Sequence, residues 1–253
     1  MTLNEIRDRI DAIDQQLLEL FRQRMECAKE VAQIKKEQHL PIAHPQREQD
    51  IIDMRTRQLP AHEAEVRRLF ELLIELSRQY QEQLLADDPF YRTNIVLIGM
   101  PGSGKSSVGK ELASLAGRTL LDCDAEIVRR TGISIPSYFE QYGEDEFRKL
   151  ESQVVKDFSE QTGVILVTGG GVVTREENYA PLHRNGWMVQ IERPLEDLAQ
   201  EGRPMFERFT AQQLYEQRKA AYAHFKDAVV PYTQDAHQTA QCIWDCYQEQ
   251  FAK

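Results

Sequence analysis

Glycine is missing from residues 1–98 of this 253-residue chain, whose 13 glycines all lie at or after Gly99. Tight turns and phosphate-binding loops need the positive backbone φ angles that glycine adopts most easily, whereas long helices do not. The contrast therefore predicts two domains, an all-helical one over residues 1–88 and a different one over residues 89–253. The boundary falls in the sequence ADDPFY, where Pro89 is expected to stop the preceding helix.

Long apolar runs and cysteines are also scarce, and basic residues are outnumbered by acidic ones, 31 to 41. No apolar run is long enough for a membrane span, and the N-terminus lacks the apolar core of a signal peptide, so we expect a cytoplasmic protein without a membrane partner. Of the four cysteines, only Cys242 and Cys246 are close, and no histidine completes a zinc site, which favours reduced thiols. The net charge of -10 argues against a nucleic-acid partner, but a few local arginines can still bind small anions.

Three helices are predicted in the first domain, near residues 3–39, 46–58 and 62–85, with proline-containing breaks between them. The first helix would be roughly 55 Å long, which exceeds what a compact domain of about 90 residues contains. We therefore expect a homodimer in which a second copy covers this helix, rather than a monomeric hairpin. The apolar stripe that would be covered consists of Ile6, Ile10, Ile13, Leu17, Phe21, Ala28 and Val31.

Two cations fall on this apolar stripe. Arg24 and Lys35 would each cost several kcal/mol in a packed face unless an anion met them, although either one alone could extend its charged end into water. Arg7 lies roughly 25 Å along the helix axis from Arg24, so only a second chain could bring it to the same small ligand. On the third helix, Ser77 and Gln81 interrupt the apolar stripe in the same way.

The second domain has short Val- and Ile-rich runs separated by helical stretches, a pattern that predicts a parallel sheet. The predicted strands are Asn94–Ile98, Val164–Thr168 and Trp187–Ile191, with Thr119–Leu121 as a weaker candidate. A C-terminal helix is predicted over Asp235–Phe251.

The first of these strands runs directly into the motif G-x-x-x-x-G-K-S at residues 99–106, and a helical stretch follows it. Backbone N–H groups of such a loop surround phosphates at the positive end of the helix. Lys105 would reach the β- and γ-phosphates, and the Ser106 hydroxyl would ligate Mg²⁺. The predicted nucleotide-binding residues are Gly99, Gly102, Ser103, Gly104, Lys105, Ser106 and Ser107. This loop alone leaves ATPase, GTPase and kinase open.

Three further features are candidates for an acceptor site. Asp122 and Asp124 follow a short apolar run, and if the segment is extended, its period of two directs both carboxylates the same way. They could serve a metal and an acceptor hydroxyl, or form a solvated acidic turn. Three consecutive glycines at 169–171 indicate either close backbone approach or a plain turn. Single arginines are usually solvated, but three are candidates for anion binding: Arg148, Arg203 and Arg218.

Taken together, six segments of residues 94–234 resemble the shikimate kinases. They are GMPGSGKSSVGKELA, LLDCDAEIVRRTG, YFEQYGEDEFRKLE, VTGGGVV, GRP and LYEQRKAAY. The resemblance implies an α/β P-loop kinase with a five-stranded parallel sheet. It further implies that ATP and Mg²⁺ are used to phosphorylate the 3-hydroxyl of shikimate.

The same resemblance implies roles for the matching residues. Asp124 would bind the shikimate hydroxyls and assist deprotonation of the 3-hydroxyl, and Asp122 would support Mg²⁺ through water. Arg148 and Arg218 would hold the substrate carboxylate as paired guanidiniums. The other matching positions are the site-lining acid Glu151, the ring-facing glycines Gly170 and Gly171, and the lid arginine Arg203. The stretch over residues 194–214 is shorter than the usual lid of this family.

Residues 3–85 resemble an all-helical chorismate mutase of the intertwined-dimer type through LNEIRDRIDAIDQQLLELFRQR, VAQIKK, PQRE and SRQYQ. Such an enzyme rearranges chorismate to prephenate by holding the reactive conformer of the dianion. Lys35 and Gln81 would face the ether oxygen, where negative charge grows in the transition state. The matching site residues are Arg24, Lys35, Arg47, Glu48, Ser77 and Gln81, with Arg7 supplied by the partner subunit. His44 stands where the family usually has an acid, which predicts weaker binding of the substrate hydroxyl.

The leading hypothesis from the sequence is a bifunctional enzyme that carries both activities. The alternative is a shikimate kinase whose helical domain is a non-catalytic, dimerising sensor of chorismate or prephenate. A third hypothesis, a different small-molecule kinase such as a gluconate kinase, is disfavoured by Arg148, Arg218 and the three glycines at family positions.

Overall fold

The computed structural model describes residues 1–199, 204–233 and 235–251, apart from the side chain of Glu207. The chain divides into two compact units, Met1–Asp88 and Pro89–Lys253. Among the described helices, none combines the length and the hydropathy that crossing a membrane requires.

The first unit consists of three helices: α1 (Leu3–Gln38), α2 (Pro45–Gln58) and α3 (Glu63–Leu85). The three predicted helices are confirmed, with ends that differ from the prediction by one residue at most. Thr2 begins α1 with a capping box, because its side chain accepts from the Glu5 N–H while the Glu5 carboxylate accepts from the Thr2 N–H. A short 3₁₀ turn, Pro60–His62, precedes α3.

The end of α1 shows how this unit manages without glycine. His39 closes the helix in the left-handed conformation with a φ of 50°, and its N–H donates to the carbonyl groups of the last turn. Glycine normally occupies this position because it has no Cβ to clash with the backbone. It is the single positive-φ residue other than glycine in the described part of the chain.

The N-terminal half of α1 exposes its apolar stripe. Ile10, Ile13 and Leu17 keep 51%, 52% and 56% of their surface accessible, whereas Ala28 and Ala32 in the C-terminal half are buried. Apolar side chains arranged along one helix face normally pack against another element. Within one chain, this part of the stripe has no such element among the described residues.

The second unit begins with the short helix α4 (Pro89–Arg92), so Pro89 starts a helical turn rather than lying in a helix-poor linker. The elements that follow are β1 (Asn94–Ile98), α5 (Lys105–Ala116), β2 (Leu120–Asp122), α6 (Cys123–Thr131), α7 (Ile135–Ser159), β3 (Ile165–Val167), α8 (Tyr179–Asn185), β4 (Gly186–Glu192), α9 (Pro204–Arg208), α10 (Ala211–Phe225), β5 (Ala228–Pro231) and α11 (Ala236–Phe251). The predicted C-terminal helix corresponds to α11.

Five parallel strands of the described residues form one sheet in the order β2-β3-β1-β4-β5. The predicted class, a parallel sheet of five strands, is therefore confirmed. The strand at one edge, β5, was not located in advance, since AVVP is only four residues long and ends in proline. In a parallel sheet the carboxyl ends of all strands lie at one edge, which is where ligands bind in this class of fold.

Both faces of the sheet are covered, as parallel sheets require. Alternate residues of β1 point to opposite faces, with Val96 and Ile98 in one apolar core and Ile95 and Leu97 in the other. The first core packs against α6, α7, α8 and α10, and the second against α5 and α11. The rigid sheet thereby fixes the positions of the loops at its carboxyl edge.

Candidate active sites

The phosphate loop leaves the carboxyl end of β1 and enters α5 at Lys105. Gly102 and Gly104 have φ angles of 79° and 94°, which a residue with a Cβ adopts only with strain. A Cβ at Gly102 would also lie 2.2 Å from the Ala199 carbonyl oxygen, so that position has no room for a side chain. The loop therefore leads the N–H groups of the first turn of α5 to the sheet edge, where a helix N-terminus attracts phosphate.

Two polar groups of this loop are arranged for an anion. The Lys105 ammonium donates to the carbonyl oxygens of Gly99 and Met100, both at 2.9 Å, and is buried. The Ser103 hydroxyl is completely buried and has no hydrogen-bond partner within the described residues. A buried polar group of this kind normally has a partner, so the Ser103 hydroxyl is an exception among the buried groups of this unit.

A cavity of about 220 Å³ opens beside the loop. Predicted residues that line it are Gly102, Gly104, Lys105, Ser106, Ser107, Asp124, Arg148, Glu151, Gly170, Gly171 and Arg218. Gly99, Ser103 and Asp122 do not line it. Arg203, the predicted lid arginine, lies outside the described residues.

The segment with the two aspartates is not extended, so the condition under which a period of two would direct both carboxylates the same way is not met. Strand β2 ends at Asp122, and α6 begins at Cys123. Asp122 Oδ1 caps this helix by accepting from the N–H groups of Asp124 at 3.0 Å and Ala125 at 3.2 Å. Asp124 consequently lies in the first helical turn and lines the cavity, while one oxygen of Asp122 is committed to the helix end.

The Asp124 carboxylate lies in an environment that favours its neutral form. Burial raises its pKa to about 6, the negative charges of Glu151 and Asp122 add to this effect, and Lys105 and Arg148 oppose it. A carboxyl group with this pKa changes its protonation state near neutral pH, which suits a general base.

Arg148 and Glu151 form a buried ion pair one turn apart on α7. Arg148 Nη1 donates to Glu151 Oε2 at 2.7 Å, and the two residues are 5% and 0% exposed. Burial lowers the pKa of the Arg148 guanidinium, but Glu151 and Glu144 more than offset it, so that its pKa is raised. Within the described part of the chain, Arg148 Nε and Glu151 Oε1 have no hydrogen-bond partner. Each is a buried polar atom of a residue that lines the cavity.

Arg218 approaches the same cavity from α10. Its Nη1 donates to the Gly170 carbonyl oxygen at 2.9 Å, and the Tyr222 hydroxyl donates to the same oxygen at 2.6 Å. Burial lowers the pKa of Arg218 and raises that of Tyr222 to about 12, so the tyrosine stays neutral. These bonds attach α10 to the three-glycine segment.

The three glycines after β3 are explained by side chains that approach their backbone closely, and not by a plain turn. A Cβ at Gly171 would lie 2.2 Å from Arg148 Nη2, and one at Gly170 would lie 2.6 Å from the Pro101 side chain. A Cβ at Gly169 would lie 2.3 Å from Glu151 Oε1 and 3.0 Å from Asp124 Oδ1. The backbone therefore runs against both carboxylates and the guanidinium.

Several lining residues were not predicted. Phe139, Phe147, Thr168, Met205 and Ile135 line the cavity, and Arg148 lies over the Phe147 ring at 5.3 Å. The two phenylalanines lie in the YFEQYGEDEFRKLE segment, where the mixture of aromatic and charged residues was the available signal. Met205 and Thr168 carried no comparable signal.

The helical unit has its own cavity, of about 420 Å³, between α1, the segment after it, α2 and α3. All the predicted positions except Arg7 line it: Arg24, Lys35, Arg47, Glu48, Ser77 and Gln81. His44 lines it as well, and so does Arg78, which was not predicted and lies 3.7 Å from Glu48. Arg7 is exposed on the N-terminal half of α1.

Arg24 and Lys35 reach from α1 to α3. Arg24 Nη1 donates to the Leu73 carbonyl oxygen at 2.6 Å and also to the Ser77 hydroxyl. Lys35 Nζ donates to Gln81 Oε1 at 2.9 Å and to the Ile42 carbonyl oxygen. Burial lowers the pKa of both cations; for Lys35, Glu48 opposes this effect and Arg47 adds to it.

His44 begins α2. Its Nδ1 accepts from the Arg47 N–H at 3.3 Å, and its own N–H donates to Glu48 Oε1 at 3.2 Å. A neutral imidazole that accepts at Nδ1 carries its proton at Nε2. His44 thus presents a donor in a position where an acid would present an acceptor.

Two family models match this chain. The family model described as "Shikimate kinase" matches residues 101–248, which is more than half of the chain. The chain belongs to the shikimate kinase family. A second model, "Chorismate mutase type II", matches residues 6–82. Both resemblances drawn from the sequence are therefore confirmed, in the predicted order.

Individual shikimate kinases support the family membership. That of Nitrosomonas europaea is 50% identical over 105 residues, which are 42% of this chain and 50% of that protein. That of Coxiella burnetii is 40% identical over 150 residues, which are 55% of this chain and 84% of the relative. The chain thus spans only about half the length of the first of these relatives.

A solved structure, the shikimate kinase from Acinetobacter baumannii in complex with shikimate, matches with a TM-score of 0.60 and 30% identity. The match covers 68% of this chain and 99% of that structure. The shared fold therefore includes essentially all of the smaller protein.

Proposed function

We propose that the second unit transfers the γ-phosphoryl group of ATP to the 3-hydroxyl of shikimate, giving shikimate 3-phosphate and ADP. The observation that carries the proposal is the convergence of Asp124, Arg148 and Arg218 on one cavity beside the phosphate loop. A base and two cations next to bound phosphates suit a substrate that has both a hydroxyl and a carboxylate. The similar kinase from Acinetobacter baumannii was solved in complex with shikimate, which also supports this choice of substrate.

The loop residues fit ATP and Mg²⁺. The N–H groups at the start of α5 and the Lys105 ammonium, which lie beside the cavity, suit phosphate oxygens. Ser106 and the second oxygen of Asp122 are hard oxygen donors of the kind that Mg²⁺ prefers. In the described residues no cluster of three or more His, Cys, Asp or Glu side chains could hold a metal ion. When bound, Mg²⁺ would neutralise charge on the phosphates.

The proposed reaction assigns one role to each side chain. The Asp124 carboxylate accepts the proton of the 3-hydroxyl, the hydroxyl oxygen bonds to the γ-phosphorus, and the bond from that phosphorus to ADP breaks. Lys105 stabilises the negative charge on the transferring group. Arg148, supported by Glu151, and Arg218 hold the substrate carboxylate, which fixes the distance between hydroxyl and phosphorus. A lid role for Arg203 remains part of the proposal.

For the helical unit we propose the rearrangement of chorismate to prephenate. Arg24, Lys35 and Arg47 provide the positive charge that a dianion needs, and Gln81 lies beside Lys35 where a neutral donor can reach the ether oxygen. Lys35 would then exchange its hydrogen bond to Gln81 Oε1 for one to the substrate. Gln81 would donate to the ether oxygen through Nε2, which in this structure donates to the Ser77 carbonyl oxygen at 3.2 Å. His44 Nε2–H would donate to the substrate.

The proposed mutase is a homodimer. The exposed stripe around Ile10, Ile13 and Leu17 supports it, because a second copy would remove this apolar surface from water. The position of Arg7 supports it too, since this exposed arginine is too far along α1 to reach the cavity of its own chain, roughly 25 Å from Arg24. A second copy could supply Arg7 to that cavity.

The competing proposal is a sensor that binds chorismate or prephenate without turnover, and the histidine at position 44 is the feature that favours it. The deciding experiment assays the purified protein for shikimate-dependent ADP release and, separately, for chorismate loss. Kinase turnover without mutase turnover would support the sensor, which then requires that prephenate change the affinity for shikimate. Absence of shikimate-dependent ADP release would contradict the kinase proposal.

A further inference from the structure

Glu144 lies between two arginines of different helices in the kinase unit. Its Oε1 accepts from Arg148 Nη2 at 3.4 Å, and its Oε2 lies 4.0 Å from Arg208 Nη1. Arg208 is the last residue of α9, and the first two residues of this helix, Pro204 and Met205, line the substrate cavity. The Glu144 carboxylate thus connects Arg148, which lines the cavity, with α9, which forms part of the cavity wall.

The contact between Glu144 and Arg148 is the weaker of the two carboxylate contacts that Arg148 makes. At 3.4 Å it is near the limit of a hydrogen bond, whereas Glu151 accepts from Nη1 at 2.7 Å. Glu144 keeps 35% of its side chain exposed, but Glu151 has no exposed surface. A competing ligand will therefore displace Glu144 more easily than Glu151.

The place that Glu144 occupies on Arg148 is where a substrate carboxylate would bind. The Nε–H and one Nη2–H of a guanidinium point the same way along one edge, and a carboxylate binds such an edge through two parallel hydrogen bonds. Here Nη2 is held loosely by Glu144, and within the described residues Nε has no partner although it is buried. Two carboxylates cannot share this edge without repulsion.

We infer that Glu144 is a positioning residue that competes with the substrate carboxylate for Arg148 and, once displaced, pairs with Arg208 to hold α9 against the cavity. The inference rests on the proposed kinase function. It adds a specificity mechanism, because only an acidic substrate displaces Glu144. With a neutral analogue, Glu144 stays shared between Arg148 and Arg208, so that its contact with α9 keeps the 4.0 Å distance of this structure.

The test compares E144Q, R208Q and the double variant, with D145N as the matched control. Asp145 is the next residue, is 91% exposed and pairs with Arg175, so its replacement by asparagine removes the same charge without touching Arg148. The measurements are the Kd values of shikimate and of its carboxamide, by calorimetry, and kcat at saturating ATP. Thermal unfolding of each variant confirms folding.

Loss of the competitor should tighten shikimate binding in E144Q by about 2–5-fold, as expected for a partly exposed charge contact. Carboxamide binding should not change, and kcat should fall because α9 loses its anchor. R208Q should lower kcat in the wild-type background and have no further effect in E144Q. D145N should resemble the wild type in each measurement.

Two results would overturn the inference while leaving the kinase proposal intact. One is weaker shikimate binding by E144Q, which would make Glu144 a mere support of Arg148. The other is an effect of R208Q on kcat that is equally large with and without Glu144. A wild-type protein that releases no ADP in response to shikimate would instead overturn the kinase function, and this inference with it.

Discussion

Arg148 Nη1 and Glu151 Oε2 lie 2.7 Å apart inside the kinase unit, and a second pair with the same spacing, Lys149 and Glu146, lies on the surface of the same helix. The chain therefore contains a buried ion pair and an exposed one at the same spacing of three residues on one helix, with the order of acid and base reversed. Removing one partner of a buried pair leaves an uncompensated charge, whereas an exposed charge is solvated by water. The loss of stability on removing the acid can therefore be compared between the two pairs.

We expect Glu151→Ala to lower the free energy of unfolding by about 3–5 kcal/mol, because it leaves Arg148 charged and buried. Urea denaturation followed by tryptophan fluorescence measures this, since both tryptophans, Trp187 and Trp244, belong to the kinase unit. The control, Glu146→Ala, should have a much smaller effect. Equal losses in the two variants would contradict the role assigned to burial.

The activity of the kinase should depend on pH through Asp124. Burial and the neighbouring carboxylates raise its pKa to about 6, and only the ionised form accepts a proton. The value of kcat/KM for shikimate should therefore fall as the pH decreases through about 6, and Asp124→Asn should abolish turnover. Because Glu151 contributes to the raised pKa, Glu151→Gln should shift this acid limb to lower pH. If the acid limb of Glu151→Gln lay at the same pH as that of the wild type, Glu151 would not contribute to the raised pKa of Asp124.

Lys35 should be essential for chorismate turnover and unfavourable for stability. Burial lowers its pKa, so the folded state binds its proton less tightly than the unfolded state, and the free energy of unfolding rises as the pH increases through the folded-state pKa. Lys35→Met removes the unfavourable free energy of burying this positive charge. We expect it to reduce kcat of the mutase by about 10²–10³-fold while thermal stability at neutral pH is kept or increased.

The matched control for this variant is Lys29→Met, on the exposed side of the same helix. It should leave chorismate turnover unchanged, and both variants should retain full kinase activity. Substantial mutase activity in Lys35→Met would remove Lys35 from the proposed site.

A charge in the exposed stripe of α1 should separate the two copies. Ile13 is 52% exposed in the single chain, and Ile13→Glu would place a carboxylate in the proposed interface. Analytical ultracentrifugation should find the wild type at twice the chain mass of 29.4 kDa and the variant at the chain mass. Mutase activity should be lost with the dimer, because Arg7 no longer reaches a cavity, and kinase activity should remain.

Gln15→Glu, also on the exposed surface of α1, is the control for the added charge and should remain dimeric. A wild-type protein that sediments at the monomer mass would contradict the dimer outright. An Ile13→Glu variant that stays dimeric would place the interface elsewhere.

Much of the fold follows from local patterns. The spans of α1, α2 and α3 were predictable because apolar periodicity and proline breaks act within a few residues. Strand β1 was predictable because a four-residue apolar run, residues 95–98, precedes the phosphate loop. The short edge strand β5 was not, since its sequence AVVP has neither the length nor the alternation of a typical strand. Its pairing with β4 depends on the rest of the sheet.

By itself the sequence determined the phosphate loop, the cationic positions Arg24 and Lys35, and the two families, since each is encoded in contiguous residues or in a regular spacing. Only the tertiary structure decided that Asp122 caps a helix while Asp124 faces the cavity, and that Glu144 connects Arg148 with Arg208. The physical reason is that a side chain's partner across the cavity depends on how distant elements pack. In this protein the packing places the charged side chains of α6, α7 and α10 around the three-glycine segment at residues 169–171. No spacing along the chain specifies that arrangement.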